Sequence, residues 1–183
     1  SRFSKMRSKM GISAFTSNFK KNMVVCRMKH EKSHKNIAYE FFRYNQTQAT
    51  LPYINNQSGI VTTANNDFTT ELMQMSKKEF NKVMEDNFGD LLGKMKLVGK
   101  RYSYPMITTY TKRFVSDRFA VIGDAAVGMH PVTAHGFNLG LKGLNILAGE
   151  INDAVKNNND IGKFQILNNY QIKLHRVAAP VYI

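Results

Sequence analysis

One short stretch of the chain combines a carboxylate with a glycine-containing loop in a spacing that could hold a polar ligand. The apolar run 119–122 is short enough for a buried strand, and it ends at Asp124. A loop that contains Pro131 and Gly136 follows, and a helix is predicted to open near Asn138. In α/β proteins this order of elements places a polar ligand at the C-terminal edge of the sheet.

Two histidines of the same stretch raise the alternative of a metal site. His130 and His135 are five residues apart in a predicted loop, and no carboxylate or cysteine lies near them with the spacing of a ligand set. A structural zinc site needs four ligands, so we predict that this stretch binds no metal ion.

The whole stretch GDAAVGMHPVTAHGFNLGL, residues 123–141, resembles the GD motif of class A flavin-dependent aromatic hydroxylases. That motif usually reads GDAAH-x-x-x-P-x-x-G-Q-G-x-N-x-G, and the part HPVTAHGFNLGL is similar to the ubiquinone-biosynthesis hydroxylases of the group. Three residues depart from the family pattern: Val127, Ala134 and Gly143 stand where a histidine, a glycine and an acid are usual. The departures bear on the subfamily and on the details of a flavin pocket.

The resemblance implies a set of FAD-binding residues. Asp124 corresponds to the aspartate that holds the ribityl chain, and a carboxylate forms strong hydrogen bonds with hydroxyl groups. Glycines at the helix start let the backbone approach a flat ring closely. Taken alone, these residues could equally form a plain turn, loop and helix cap. The predicted cofactor-binding residues of this stretch are Gly123, Asp124, Pro131, His135, Gly136, Phe137 and Asn138.

The first residues of the chain resemble a second motif of the same family. In A-D-G-x-x-S-x-x-R, Ser1 stands at the glycine position, Ser4 at the serine and Arg7 at the arginine. The resemblance implies that Arg7 lies near the FAD pyrophosphate, whereas the basic residues here could also form a solvated chain end. No G-x-G-x-x-G unit follows a strand in these 183 residues, so we expect the chain to be a fragment that alone binds FAD weakly or not at all and is inactive.

The resemblance implies that the protein hydroxylates an aromatic ring, and the similarity to the ubiquinone-biosynthesis hydroxylases favours a ubiquinone precursor as the substrate. In the family NAD(P)H reduces FAD, and a flavin C4a-hydroperoxide transfers the oxygen, so no protein side chain is predicted to be catalytic. Two alternatives stay open. The substrate could be a small soluble phenol, or the chain could be a non-catalytic interaction domain that keeps the fold.

The pattern of elements predicts an α+β fragment of an α/β FAD-binding protein. Short β-rich runs between residues 20 and 63 indicate a mixed antiparallel sheet, which the resemblance assigns to the substrate domain. The predicted domains are 1–19, the end of the first motif; 20–113, the substrate-binding sheet; and 114–183, the C-terminal part of the FAD-binding domain. Aromatic residues of the sheet are candidates to face the substrate: Tyr39, Phe41, Phe42 and Tyr53.

Three helices are predicted between residue 76 and the end of the chain. Ser76 and Glu79 form a capping box before apolar residues at helical spacing. A second helix carries a stripe that is expected to pack on a sheet: Leu141, Leu144, Ala148, Ile151 and Val155, widened by Leu147 and Ala154. A final helix is marked by Leu167, Tyr170, Leu174 and Val177, and Pro180 is expected to end it.

The charge and the cysteine content limit the partners. The net charge is +13, and residues 1–66 hold 11 Lys or Arg against two Glu. Such a surface could be a plain solvated face or could attract anionic lipid, and without a nucleic-acid-binding signature we predict no nucleic-acid partner. The single Cys26 fits a reducing compartment. We therefore expect a cytoplasmic protein, with peripheral contact to the inner membrane and a complex with other quinone-pathway proteins left open.

Overall fold

The computed structural model describes residues 2–130 and 135–182. The chain divides into two compact units, one formed by residues through Asn18 with the chain from Ile107 onward, the other by Phe19–Met106. Assignment of these ranges to FAD-binding and substrate domains stays a prediction. The elements are, in chain order, α1 (Lys5–Lys9), β1 (Ala14–His30), β2 (Tyr39–Arg43), β3 (Gln46–Pro52), β4 (Gln57–Asn65), α2 (Asn66–Gln74), α3 (Lys77–Phe88), the 3-10 turn η1 (Gly89–Leu91), β5 (Met95–Thr111), β6 (Val115–Ser116), β7 (Phe119–Ala120), the 3-10 turn η2 (Gly123–Ala125), β8 (Val127–Gly128), α4 (His135–Lys156) and α5 (Phe164–Tyr182).

An antiparallel sheet with the strand order β2-β3-β4-β1-β5-β8 dominates the fold, which confirms the predicted α+β class. Val61 of β4 lies opposite Val25 of β1 on one side and Ala49 of β3 on the other, so the three side chains share one face. The β-rich runs of the sequence therefore mark real strands, although β1 already begins at Ala14, six residues before the predicted region.

Helices α2 and α3 cover the other face of this sheet and close a core. Val24, Cys26 and Ile60 pack there with Phe80 and Met84 of α3, and all five side chains are buried. Burial raises the pKa of the Cys26 thiol to about 12. The predicted capping box is present, because the Ser76 hydroxyl accepts from the Glu79 N–H and the Glu79 carboxylate accepts from the Ser76 N–H. The sequence reading missed α2, which Asn65 caps.

The other unit has its own core between α4, α5 and the segment before η2. Tyr170 of α5 is fully buried, and its hydroxyl donates to the Val121 carbonyl at 2.7 Å. Desolvation raises the pKa of this phenol. Leu167, Tyr170 and Leu174 are buried as predicted, while Pro180 lies inside α5 instead of ending it. Because Pro180 falls in the last turn, the helix loses only terminal backbone bonding.

Helix α4 exists as predicted but packs through a different face. Its buried residues are Leu139, Gly143, Glu150 and Ala154, and only the last belongs to the predicted stripe and its flanks. A methyl group added to Gly143 would lie 3.2 Å from a Leu174 methyl, which shows how closely α4 approaches α5. Leu141 and Leu144 are about half exposed, at 50% and 47%. The prediction is therefore wrong for the stripe itself, whereas both predicted flanks pack inward: Ala154 is buried and Leu147 packs against the core.

The run 119–122 is not a long buried strand. Only Phe119–Ala120 is strand, and it pairs antiparallel with Val115–Ser116 in a two-stranded sheet. Val121 is buried, but Ile122 is 42% exposed. The apolar run predicted the position of the turn that follows it, and it overestimated the strand.

Candidate functional site

The turn η2 presents Asp124 directly after this short strand. Gly123 adopts a positive φ of 55°, a conformation that glycine takes without strain, and the chain then turns through Asp124 and Ala125. The Ala126 N–H donates to the Gly123 carbonyl at 2.9 Å and closes the turn. The Asp124 side chain is 45% exposed, so its carboxylate stays open to a ligand.

Arg2 is the ionic partner of Asp124, and the sequence reading did not identify it. Its Nη2 lies 3.7 Å from Asp124 Oδ2, and its Nη1 donates to the Ile107 carbonyl. A side chain at Gly128 would come within 3.3 Å of Arg2 Cβ, so glycine there leaves room for the arginine. The family motif assigns no role to this position, and only its place two residues before Ser4 could have marked it.

Arg7 lies behind the same turn. Its side chain is only 8% exposed, and its Nη1 donates to the Ala125 carbonyl at 3.0 Å. Ser4 caps the short helix α1 by accepting from the Arg7 N–H at 3.2 Å. Within the described residues, Arg7 Nε is buried and has no hydrogen-bond partner. An arginine held this way adds positive charge beside Asp124 and keeps one unused donor.

The first turns of α4 pack against η2. A methyl group built on Gly140 would lie 3.5 Å from Gly123 Cα, an ordinary contact distance, so helix and turn meet through glycine backbone. At the helix start, His135 and Asn138 are exposed, Gly136 is half-buried and Phe137 is 77% exposed. Three further residues from the sequence reading lie outside the described residues: Ser1, Pro131 and Ala134.

These residues fit a flavin cofactor on three structural grounds. A partly exposed carboxylate is available for hydroxyl groups, α4 meets the same turn through glycine backbone at Gly140, and a buried arginine retains an unsatisfied donor. Arg7 and Asp124 therefore lie around one turn, against which α4 packs through Gly140, and their role in holding FAD stays a prediction. The departures also have a structural meaning, since Val127 is a core residue and Gly143 contacts α5.

The aromatic substrate candidates lie on different faces of the sheet in the unit Phe19–Met106. Phe41 packs on Phe88 of α3 with ring centroids 5.8 Å apart, and Tyr39 stacks on Phe41 at 6.2 Å. Both therefore belong to the helix-covered face. Tyr53 lies over Gly59, where an added methyl group would be 3.4 Å from its hydroxyl, and Phe42 is 70% exposed. These two stay the better candidates for an open face.

Two buried histidines, His30 and His34, fix the loop between β1 and β2. His34 Nε2 donates to the Tyr53 carbonyl, while the Asn36 N–H donates to His34 Nδ1 at 2.9 Å. His30 bridges the Lys32 carbonyl and the Ser58 hydroxyl, at 2.7 and 3.0 Å. Three of the four ring nitrogens bond backbone groups and the fourth bonds the Ser58 hydroxyl, so a structural role accounts for both rings.

A second polar pair lies beside α5. The Tyr110 hydroxyl and His175 Nδ1 are 2.9 Å apart, and the His175 ring packs on Phe114 with centroids 4.4 Å apart. Burial lowers the pKa of His175, because the charged imidazolium is disfavoured among aromatic rings. The tyrosine can donate only while His175 Nδ1 is unprotonated.

Residues 2–130 and 135–182 lack the features of two other kinds of site. No group of three or more His, Cys, Asp or Glu side chains is placed to hold a metal ion there. Across the same residues, none of the helices combines the length and the apolar character that a membrane span requires.

Known proteins resemble the chain over nearly its whole length. It is 42% identical to ubiquinone hydroxylase UbiM of Neisseria meningitidis over 182 residues, covering 100% of this chain and 40% of the relative. It is 35% identical to ubiquinone hydroxylase UbiL of Rhodospirillum rubrum over 170 residues, covering 93% of this chain and again 40% of the relative. The chain thus spans about two fifths of the length of these relatives.

Solved structures agree on the fold. The crystal structure of PqsL, a probable FAD-dependent monooxygenase from Pseudomonas aeruginosa, superposes with a TM-score of 0.76 at 16% identity, over 97% of this chain and 50% of that one. Residues 3–182 match the FAD binding domain family. Since this match includes the Asp124 turn, Arg7 and both long helices, the chain belongs to the FAD binding domain family.

Proposed function

We propose that the whole protein is an FAD-dependent monooxygenase that hydroxylates the aromatic ring of a ubiquinone precursor. The proposal rests mainly on the turn η2, which carries a partly exposed carboxylate, contacts Arg2 and Arg7, and meets α4 at Gly140. Its sequence is the part of the chain with the strongest family resemblance. The two ubiquinone hydroxylase relatives support the choice of substrate class.

The residues around η2 would hold the cofactor. Asp124 would accept hydrogen bonds from the ribityl hydroxyls, and Arg7 would add positive charge beside it, near the pyrophosphate. The backbone at Gly136 and Asn138 would face the flavin ring, and His135 would stand near it as a polar residue without a proton-transfer role. When bound, FAD supplies the redox chemistry with NAD(P)H and O2. The side chains of this chain bind and orient, and none is needed as nucleophile or base.

The open face of the sheet suits an apolar aromatic substrate. Val25, Val61 and Ala49 lie opposite one another in adjacent strands and are half-buried. Tyr53 adds a ring over Gly59 on the same face. Apolar groups with a few polar edges are the usual lining of ligand sites. A prenylated ring would gain from such a surface by hydrophobic burial, and a small phenol would use less of it.

The basic character of the chain supports peripheral contact with an anionic membrane, where such a precursor resides. Arg27 and Lys29 are exposed on β1 and add to the positive surface of the first 66 residues. Each basic residue near an anionic surface contributes roughly 1 kcal/mol, and salt screens the attraction. We expect salt-sensitive sedimentation with anionic vesicles, whereas binding that is equal at low and high salt would contradict the electrostatic contact.

The decisive experiment uses the full-length protein. We expect stoichiometric FAD after gel filtration, NAD(P)H oxidation stimulated by a prenylated phenol, and rescue of a ubiquinone-deficient bacterial strain by the gene. Turnover of a small soluble phenol without rescue would replace the substrate proposal, and a folded protein that binds no flavin would leave an interaction domain.

A pair of substitutions tests the site itself. Asp124→Ala should raise the FAD dissociation constant at least about tenfold, since a charged hydrogen-bond acceptor contributes about 1.5–3 kcal/mol. Asp153→Ala, on the exposed side of α4, is the matched control and should leave FAD affinity unchanged. Equal flavin retention by the two variants would show that Asp124 does not hold the cofactor.

A further inference from the structure

Arg2 and Arg7 contact the turn η2 in different ways. Arg7 Nη1 donates to the Ala125 carbonyl at 3.0 Å, so it supports the backbone of the turn. Arg2 Nη2 instead lies 3.7 Å from Asp124 Oδ2, so its charge acts on the side chain that a ligand would meet. The two arginines therefore need separate explanations, and the role of Arg2 is the one that the sequence motif leaves open.

Both ends of the Arg2 guanidinium are engaged. Nη1 donates to the Ile107 carbonyl in β5, and Nη2 faces Asp124. A guanidinium is planar and presents its donors in a fixed fork, so anchoring one nitrogen on the backbone also sets the direction of the other. Arg2 thus holds a positive charge at a fixed place beside the carboxylate.

The distance between the two side chains leaves the carboxylate available. The contact of 3.7 Å between Arg2 Nη2 and Asp124 Oδ2 is longer than a hydrogen bond, so it is an attraction between charges that leaves the oxygen able to accept from a ligand. The side chains are 24% and 45% exposed, so water weakens the attraction without abolishing it. Such a contact can orient the carboxylate without competing for its hydrogen bonds.

The strand pair beside Arg2 gives its side chain a rigid support. A Cβ added to Gly128 would lie 3.3 Å from Arg2 Cβ and 3.6 Å from Thr109 Cβ. Gly128 is buried in β8, where it lies opposite Thr109 of β5 in an antiparallel ladder. Arg2 therefore packs against backbone of fixed register, and a precise place for its charge follows from that packing.

We propose that Arg2 is a positioning residue of the FAD site, which orients the Asp124 carboxylate toward the ribityl hydroxyls. This inference rests on the proposed function, since it takes FAD as the ligand of the turn. An acceptor that is oriented before the ligand arrives loses less freedom on binding, so the effect should appear in the affinity for FAD. Because Arg2 acts through Asp124, its contribution should vanish when that carboxylate is removed.

A double-mutant cycle in the full-length apoprotein tests this coupling. The FAD dissociation constant would be measured by quenching of flavin fluorescence for Arg2→Ala, for Asp124→Ala and for the double variant. Arg113→Ala is the matched control, because Arg113 is exposed, lies in the same unit and donates to the Gly11 carbonyl at 3.3 Å. This control removes the same charge at a different place and should leave the dissociation constant unchanged.

We expect Arg2→Ala to raise the FAD dissociation constant about fivefold while Asp124 is present, and less than about twofold in the Asp124→Ala background. Arg2→Lys keeps the charge but has a single nitrogen for two partners, so it should recover part of the lost affinity. Circular dichroism checks that each variant is folded. If Arg2→Ala does not fold, Arg2→Lys takes its place in the cycle, and its smaller loss should likewise depend on Asp124.

Three results would overturn the positioning role while leaving the FAD site in place. These are an unchanged dissociation constant in the Arg2 variants, the same factor in both backgrounds, and an equal loss in Arg113→Ala. A folded unsubstituted protein that binds no FAD would overturn the proposed function, and this inference with it.

Discussion

The two units of the chain differ in how much of their apolar surface is buried. We call Phe19–Met106 the sheet unit and the remainder of the chain the helix unit. In Phe19–Met106, α2 and α3 cover one face of the sheet, and the core residues around Phe80 are almost fully buried. In the other unit, α4 buries one side and leaves four large apolar residues exposed on another: Phe137, Leu141, Leu144 and Val155. The comparison shows that a regular row of apolar residues on a helix does not by itself identify the side of the helix that is buried.

The largest expected effect comes from the closed core. Phe80→Ala should lower the free energy of unfolding by about 3–5 kcal/mol, because it leaves a cavity and removes the ring beneath Arg101, whose Cζ lies 4.8 Å from the centroid. Phe137→Ala makes the same change at an exposed position of α4 and should lower the free energy of unfolding of the 183-residue chain by no more than about 0.5 kcal/mol. Urea unfolding of both variants measures the contrast, and equal losses would contradict it.

A smaller loss of stability is expected from a substitution in the buried core between α4 and α5. Tyr170→Phe keeps the ring and removes the hydroxyl that donates to the Val121 carbonyl, so it should cost about 1–3 kcal/mol. Tyr44→Phe is the control, because Tyr44 is 95% exposed. If thermal unfolding gave the two variants the same stability, the buried hydrogen bond would contribute nothing measurable.

The N-terminal cap of α3 is expected to make a local contribution to the stability of the unit Phe19–Met106. Ser76→Ala removes the hydroxyl that accepts from the Glu79 N–H and should cost about 1 kcal/mol. Ser76→Thr retains a hydroxyl at this position and should lose only part of that stability. Equal urea midpoints for the alanine variant and the unsubstituted protein would argue against the cap.

The smallest effect is a pH dependence of the helix unit. Since burial lowers the pKa of folded His175, the unfolded chain takes up the proton first, near its ordinary pKa of about 6.5. Stability from this residue is therefore present above that value and is lost as the pH falls below it. His175→Gln should flatten the fall of the melting temperature between pH 7 and pH 5. An unchanged slope would assign the acid sensitivity to other groups.

The sequence predicted those parts of the molecule whose causes are local. The capping box of α3, the strand runs and the existence of α4 all follow from neighbouring residues, and the structure confirms them. Which side of α4 is buried was predicted wrongly, because periodicity cannot distinguish two apolar faces. Helix α2 was missed because Asn66–Gln74 has only a few large apolar residues between polar ones.

The candidate site shows the same division between local and distant causes. One continuous motif predicts a role for Asp124 and the residues at the start of α4, and a second motif predicts one for Arg7. Arg2 could not, because its contact with Asp124 joins residues far apart in the chain and depends on the room left at Gly128. Phe41 was placed with the substrate candidates because a strand pattern does not tell which face helices will cover.

The close contact of α4 with α5 connects α4 to the buried segment that precedes Asp124. Gly143 lies against Leu174, Lys173 pairs with the buried Glu150, and α5 carries Tyr170 to the carbonyl of Val121. Amide hydrogens of the two helices should thus exchange with solvent through shared openings, as one cooperative unit. Slower exchange in α4 would then be accompanied by slower exchange in α5 and in the segment that leads to Asp124.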